Sequence, residues 1–423
     1  MVVQNYFVKN NKINIKSTLI AQIVSNTTSL LIILLGMFYL DPSKYIEIQL
    51  TLAYLVFCGF MHFGLIDGIE LRIAGDIIKK NSNGSLAILI FTLSSLPGLI
   101  YFIVFFKSLD FNMLIAFLAF PIVNVNTLLI VLFRSYGYSW IAASGLILEK
   151  FIVIIYLLVT AKYAIHLINY FILFSLISLI FYLYKLNIVN IKLDFGLDLK
   201  ITLLDFKRGS ILMFSNILYS IMSFGSLILA AKFNSKDDIS KLAISISLIN
   251  VFIGISAQLS SVFFPLLASK EKLHEDINHI KYNIILEKYL PFLIFLVVII
   301  LFIFNYYFKN LFKTESILNY AFMLLPLAYF EIKNQIINIT LLKLNIQLKE
   351  YLVINLISIF IGLLLLTFAY YFYQYSFLIF VLILIVSFII RFIFLSFFCK
   401  TLSIKDFIMI FSFFTYLYLI LKC

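Results

Sequence analysis

Apolar runs of about twenty residues recur along nearly the whole chain. Each is long enough to cross a bilayer as a helix, at about 1.5 Å per residue against roughly 30 Å of hydrocarbon. The runs predict spans at 16–38, 45–66, 85–106, 111–133, 140–161 and 165–184, then at 208–231, 242–267, 289–308, 317–340, 351–373 and 376–398. A further run at 403–421 is either a thirteenth crossing or a helix lying at the interface. The expected fold class is therefore an all-α integral membrane protein. Composition points the same way: 63% of residues are hydrophobic and 12% charged, where a soluble domain carries about a quarter charged. Lys9, Lys12 and Lys16 precede the first run as they would in a signal peptide. Ser25-Asn26-Thr27-Thr28-Ser29 interrupts that run, however, and no small-residue cleavage site follows, so it reads as a retained first helix.

The net charge of +12 does not imply a nucleic-acid partner, because the charges sit in short connections rather than on one basic face. Their placement sets the orientation instead. With the N-terminus in the cytoplasm, the inner segments hold 20 Lys and Arg residues and the outer ones 8, as the positive-inside rule requires. The long connections 67–84, 185–207 and 268–288 then face the cytoplasm, and no outer connection exceeds about ten residues.

Six spans on either side of 185–207 predict a parallel duplication, since an even number of crossings preserves direction. The expected organisation is a six-helix lobe over 1–186, a cytoplasmic linker over 187–207, and a second lobe over 208–423 with the extra C-terminal run. The two lobes would be pseudo-symmetric around a central cavity. Leu96-Pro97-Gly98-Leu99-Ile100 matches Leu290-Pro291-Phe292-Leu293-Ile294, and Phe117–Pro121 resembles Phe322–Pro326.

The polar residues inside spans are the candidates for chemistry. Gln22, Asn26 and Ser29 fall at i, i+4, i+7 on one face of the first span, and Asn216, Ser220 and Ser223 repeat that pattern in the seventh. Such stripes either hold helices together or line a hydrated cavity. Glu149 and Lys150 lie in the fifth span, Glu331 and Lys333 in the tenth, and Arg391 in the twelfth. Each charge is costly at a helix centre, by about 2.5–3.5 kcal/mol on insertion scales. Neighbours at i+1 or i+2 do not face one another, so these groups either pair across helices or face a wet cavity. Arg391 is also near enough to the inner end to snorkel. His62, His166, His274 and His279 are dispersed, and Cys58, Cys399 and Cys423 are scattered, so no metal site or disulfide framework is expected. No phosphate-binding loop of Walker type and no nucleophile elbow is present in the sequence. No cofactor and no enzymatic activity are expected.

The stretch HFGLIDGIELRIAG, His62 to Gly75, follows YLDPSKYIEIQLTLAY, Tyr39 to Tyr54. Together with KLDFGLDLKITLLDFKRGSILMFSNI, Lys192 to Ile217, it resembles the bacterial polysaccharide flippases. These form the O-antigen and capsule branch of the multidrug/oligosaccharidyl-lipid/polysaccharide exporter superfamily. The resemblance assigns Tyr45, Gly64, Asp67, Gly68 and Arg72 to the family's loop motif. Where the family often has Pro early in the seventh span, this chain has Ile211 or Leu212. The resemblance implies a V-shaped bundle in a bacterial cytoplasmic membrane, alternating between inward- and outward-open states. Its cargo would be a polyprenyl-diphosphate-linked oligosaccharide, with membrane lipid, a polysaccharide polymerase and chain-length machinery as partners. Lys150 and Lys333 would then meet the diphosphate, and the polar stripes the sugars. Two alternatives stay open: an O-antigen polymerase, which usually carries a long outer loop, and a cation-coupled multidrug exporter, to which Glu149 and Glu331 would be suited.

The orientation predicts that a cysteine introduced at Ser82, in a background without native cysteines, resists a membrane-impermeant maleimide in intact cells. The same residue should label once the membrane is opened. Efficient labelling from outside would reverse the topology.

Overall fold

The computed structural model describes residues 59–74, 81–104, 111–136, 138–160, 167–189, 192–194, 198–222, 327–345, 347–373 and 377–422, with isolated helical positions at Val24, Thr28, Ile246, Ser260, Phe264 and Ala268. The chain divides into two compact units, Met1–Ile217 with Ser261–Asp276, and Leu218–Ser260 with Ile277–Cys423. The regular structure among the described residues is helical apart from one pairing of two three-residue strands, β1 (Asn81–Asn83) and β2 (Lys192–Asp194), which run parallel.

In the first unit α1 (Leu65–Ile73) leads to β1 and then to α2 (Gly84–Val104), α3 (Phe111–Ser135), α4 (Ser139–Thr160), α5 (Leu167–Ile188) and α6 (Leu199–Ser220), whose last residues pass into the second unit. α3 packs against α1, α2, α4 and α5, and α4 also lies along α5. Small residues let these helices approach closely, as they do in membranes. At the contact of α4 with α5, the Tyr182 hydroxyl donates to the Ala142 carbonyl at 3.0 Å and its ring fills the space beside Gly145. Asn126 donates to the Ser175 carbonyl at 2.8 Å across α3 and α5. In the second unit α7 (327–344) contains a π-helical turn, Asn334–Asn338, and is followed by α8 (Leu348–Tyr373), α9 (Phe377–Phe398) and α10 (Ile404–Lys422).

Outward surfaces are apolar and interiors carry polar groups. Ile103, Phe397 and Phe411 are each about three-quarters exposed, while Ser94, Asn124, Asn355, Glu331 and Arg391 are fully buried. Water would penalise so much contiguous apolar surface, whereas hydrocarbon demands it. Helices suit that solvent because each satisfies its own peptide groups. By length and composition α2 and α8 can cross a membrane outright, and α3, α4, α5 and α9 contain shorter apolar stretches. The protein is a multi-pass membrane protein.

Helix positions match the sequence expectation closely from 85 to 188 and from 351 to 422. Two differences are informative. The stretch expected to leave the membrane as a loop after residue 66 instead forms α1, with Leu65, Ile66, Ile69 and Ile73 buried against α2 and α3. The seventh span, expected from 208, lies in a helix that begins at Leu199. The Asp198 carboxylate caps that helix, accepting from the amides of Lys200 at 3.0 Å and Ile201 at 3.3 Å. Charged residues at 200, 205, 207 and 208 disguised this segment as linker. The spans expected at 16–38, 242–267 and 289–308 lie almost wholly outside the described residues, and of the span expected at 45–66 only 59–66 is described.

A glycine seam holds α1 to α6. Gly64, in the left-handed conformation at φ 86°, starts α1. A Cβ on Gly64 would meet the backbone of Gly209 and Ser210, one on Gly68 the backbone of Asp205, and one on Gly209 the carbonyl of Gly64. Backbone cannot yield as a flexible side chain can, so overpacking here should cost at least about 1–3 kcal/mol. Gly68→Ala should lower the unfolding temperature in detergent by several degrees, or abolish recovery of folded protein. Unchanged unfolding would show that the two helices do not meet at this seam.

Candidate functional site

The densest group of functional side chains lies in the second unit, where α7 brings two opposite charges into its core. Glu331 and Lys333 are two residues apart, so they project in different directions and find partners on different helices. Arg391 Nη1 of α9 donates to Glu331 Oε1 at 2.6 Å, and Lys333 Nζ donates to Asp406 Oδ2 of α10 at 2.6 Å. All four side chains are at most 1% exposed. Each pair is electrically neutral, which is what a medium of low dielectric requires of buried charge.

Most of the remaining donors and acceptors are also engaged, although Glu331 Oε2 is buried without a hydrogen-bond partner. Arg391 Nε donates to Asn355 Oδ1 at 2.7 Å and Nη2 to the Tyr351 hydroxyl at 3.2 Å, while the guanidinium lies 4.6 Å from the Tyr219 ring centroid. The planar fork of arginine suits it to three partners and a ring at once. Asp406 accepts from the Tyr329 hydroxyl at 3.1 Å and from the Ser403 amide and hydroxyl at 2.7 and 2.9 Å. The Ser403 contacts make Asp406, the third residue of α10, the acidic member of a capping-box pattern that starts the helix. One carboxylate thus begins a helix and neutralises Lys333.

The π turn extends the network. In it the Ile339 amide bonds back five residues to the Asn334 carbonyl. The extra residue shifts everything after it by about 100° around the helix axis. Asn338 then donates to Asn334 Oδ1 at 2.8 Å and Ser396 Oγ at 3.0 Å, and accepts from the Thr401 hydroxyl at 2.6 Å. Asn334 in turn donates to Glu331 Oε1 at 3.2 Å. Just past α9, burial pushes the Cys399 thiol up to about 12, so it stays protonated as an inert packing group.

The first unit holds a second group around the family-like motif. Arg72 of α1 grips Asp205 of α6, with Nε 2.8 Å from Oδ2 and 3.1 Å from Oδ1. Burial pushes the Asp205 carboxyl above its ordinary range, and Arg72 and Arg208 pull it back. His62 Nδ1 accepts the Gly64 amide at 3.0 Å, and its Nε2 lies 3.8 Å from Asp67. Of the motif residues, Gly64, Gly68 and Arg72 therefore build the junction of α1 with α6, while Asp67 lies beside His62.

The other expected residues are placed as follows. Lys150 is half-buried in α4; Glu149 occupies the preceding helical position, and its side chain lies outside the described residues. Asn216 is half-buried in α6 and Ser220 is buried at its end. Gln22, Asn26, Ser29, Ser223 and Tyr45 lie outside the described residues. Arg391 does not snorkel: its guanidinium is enclosed by Glu331, Asn355 and Tyr351. The sequence reading missed Asp406, Asn334, Asn338, Tyr351 and Asn355. Asp406 had a signal in Ser403-x-x-Asp406 ahead of an apolar run, and Asn334 with Asn338 had the i, i+4 spacing.

Solved structures similar to this chain are transporters. A eukaryotic MATE transporter, AtDTX14, covers 94% of this chain with 97% of its own, at a TM-score of 0.67 and 11% identity. A multidrug resistance MATE family transporter of the MOP superfamily, solved facing outward, covers 92% with 96% of its own, at 0.63 and 16%. The chain has the fold of the MATE transporters. A MOP superfamily transporter from Pyrococcus furiosus, described by the reversed polarity of its binding pocket, covers the same shares at 0.53 and 13%. No protein-family model and no curated protein sequence matches the chain.

Removing one member of a buried pair leaves the other charge uncompensated, at a cost of about 3–5 kcal/mol. Arg391→Met should therefore unfold at a much lower temperature in detergent. Glu331→Gln combined with Arg391→Met should recover most of that loss. A double variant as unstable as the single one would show that charge pairing is not what Arg391 supplies.

Proposed function

We propose that this protein is a flippase of the bacterial cytoplasmic membrane, translocating polyprenyl-diphosphate-linked oligosaccharide repeat units by alternating access of two six-helix lobes. One observation carries this reading. The two stretches that resemble the polysaccharide flippases, 62–75 and 192–217, are distant in sequence yet pack on one another through Gly64, Gly68, Gly209 and the Arg72–Asp205 pair. Chance matches in a biased composition have no reason to meet in space. The MATE-type fold supports a transport role, and the structures that share it differ in pocket polarity, so cargo varies on this scaffold.

The cargo needs a cation or polar groups for its diphosphate and sugars while its lipid tail remains in the bilayer. Lys150, Asn216 and Ser220, with Gln22, Asn26, Ser29 and Ser223, are the proposed contacts. Lys333 would have to leave Asp406 to reach a diphosphate. A polymerase and chain-length machinery would act on the product outside. The polymerase reading is disfavoured by the short connections, since 105–110, 161–166 and 374–376 are all that join the helices flanking them.

A cation-coupled multidrug exporter is the second reading, favoured by the intramembrane carboxylates Glu331 and Asp406. Each already has a cationic partner, and exchange of an external cation would first require that partner to withdraw.

Loss of the gene should strand complete lipid-linked repeat units on the cytoplasmic leaflet, read by leaflet-resolved analysis of the polyprenyl-linked pool. Lys150→Ala or Asn216→Leu should slow the transfer by about ten-fold, equivalent to about 1.4 kcal/mol on the barrier, with the variant protein still abundant. Normal arrival of single units outside without polymerisation would establish the polymerase reading. An undisturbed lipid-linked pool with intracellular drug accumulation would establish the exporter.

A further inference from the structure

Lys185 stands three residues before the end of α5, beside the start of the antiparallel neighbour α4. Its ammonium lies 5.7 Å from the ring centroid of Trp140, 5.6 Å from that of Phe181 and 5.8 Å from that of Tyr184. Among the described residues no carboxylate pairs with it. Arg72, Lys333 and Arg391, by contrast, all hold acidic partners. Rings attract a cation through their faces but accept little of its hydrogen-bonding capacity. The ammonium is thus positioned by aromatics, and among the described residues its N–H donors remain for an anion.

The surroundings specify which anion. Leu173, Ile177, Ile180 and Tyr184 follow one another at helical spacing along α5 and are all exposed, Ile180 and Tyr184 by about two-thirds. This stripe is an acyl-chain surface that ends at the Lys185 ammonium. Trp and Tyr beside it are the residues that settle at the headgroup level. At the same end of the unit, α6 exposes Leu199, Leu203 and Phe206 on one face, with Lys200, Lys207 and Arg208 exposed alongside. That is the pattern of a segment resting in an anionic headgroup layer.

The geometry points to a site for one acidic phospholipid, whose phosphate meets Lys185 within the Trp140–Phe181–Tyr184 cage and whose acyl chain lies along α5. Recognition is by charge and chain together, so a zwitterionic lipid of the same length is the poorer ligand. The site lies at the membrane interface and is independent of the transported cargo.

Trp140 is the single tryptophan of the chain, so its fluorescence reads this site in the intact protein. The purified protein is placed in phosphatidylcholine vesicles containing either phosphatidylglycerol or phosphatidylcholine brominated close to the glycerol end of its acyl chains. The acidic brominated lipid should quench Trp140 with a relative affinity about five-fold higher, the size expected for one lysine near an acidic surface. Lys185→Gln should bring the ratio to about one, and Lys185→Arg should keep it. Lys200→Gln combined with Lys207→Gln should leave it nearly unchanged, which separates the caged lysine from general attraction to the basic end. Equal quenching by the two lipids in the natural protein would overturn the proposal, as would a preference that survives Lys185→Gln. Should Lys185→Gln fail to fold, raised salt on the natural protein should lower the preference, and a salt-independent ratio would count against it equally.

Discussion

Hydrocarbon offers neither water nor a counter-charge, and Arg391 shows how the second unit is organised around that lack. Its guanidinium spans the space between α7, α8 and α9, with one donor for Glu331, one for Tyr351 and one for Asn355, and an aromatic face against Tyr219. Three helices become mutually dependent because none can move away without leaving a charge or an amide unmet. Asp406 plays the same part for α10, whose first turn is tied to α7 through Lys333. An apolar core would have packed these helices with less specificity, since lipid tails compete equally well for apolar surface.

The first unit meets the same solvent by other means. Its contacts rest on closeness rather than charge: glycine backbones of α1 and α6 touch, and hydroxyl and amide groups of α3, α4 and α5 bond to neighbouring carbonyls. Its ion pair of Arg72 with Asp205 joins a partly exposed guanidinium to a buried carboxylate. It fixes the helix that carries the chain from the first unit into the second.

These two arrangements bear on the proposed transport in the same way. A rocking mechanism needs units that stay rigid while their relation changes. The ion-paired network of the second unit and the glycine seam of the first both supply internal rigidity. The chain shares its fold with the MATE transporters, and a fold by itself does not decide cargo. The polar stripes and Lys150 are the positions at which a proposed diphosphate-linked glycan would be read.

Much of this was legible in the sequence. Apolar run length set where α2 to α5 and α8 to α10 begin and end, because the bilayer imposes a length on any helix that crosses it. The intramembrane charges at 331, 333 and 391 were identifiable for the same reason, their burial being costly enough to require an explanation. What the sequence could not supply was the partner of each. Glu331 and Lys333 looked like one problem and are two, solved by residues 60 and 73 positions away. Asn355 and Tyr351 gave no sign, since a polar residue in an apolar span reads the same whether it faces a cavity or an arginine. The motif from Gly64 to Arg72 was visible as a pattern, but its use as a seam against Asp205 and Gly209 was not. Periodicity and hydrophobicity are local properties, so the chain alone determined its solvent and its helices. Which helix faces which depends on side chains meeting across long separations, and only the tertiary structure decided that.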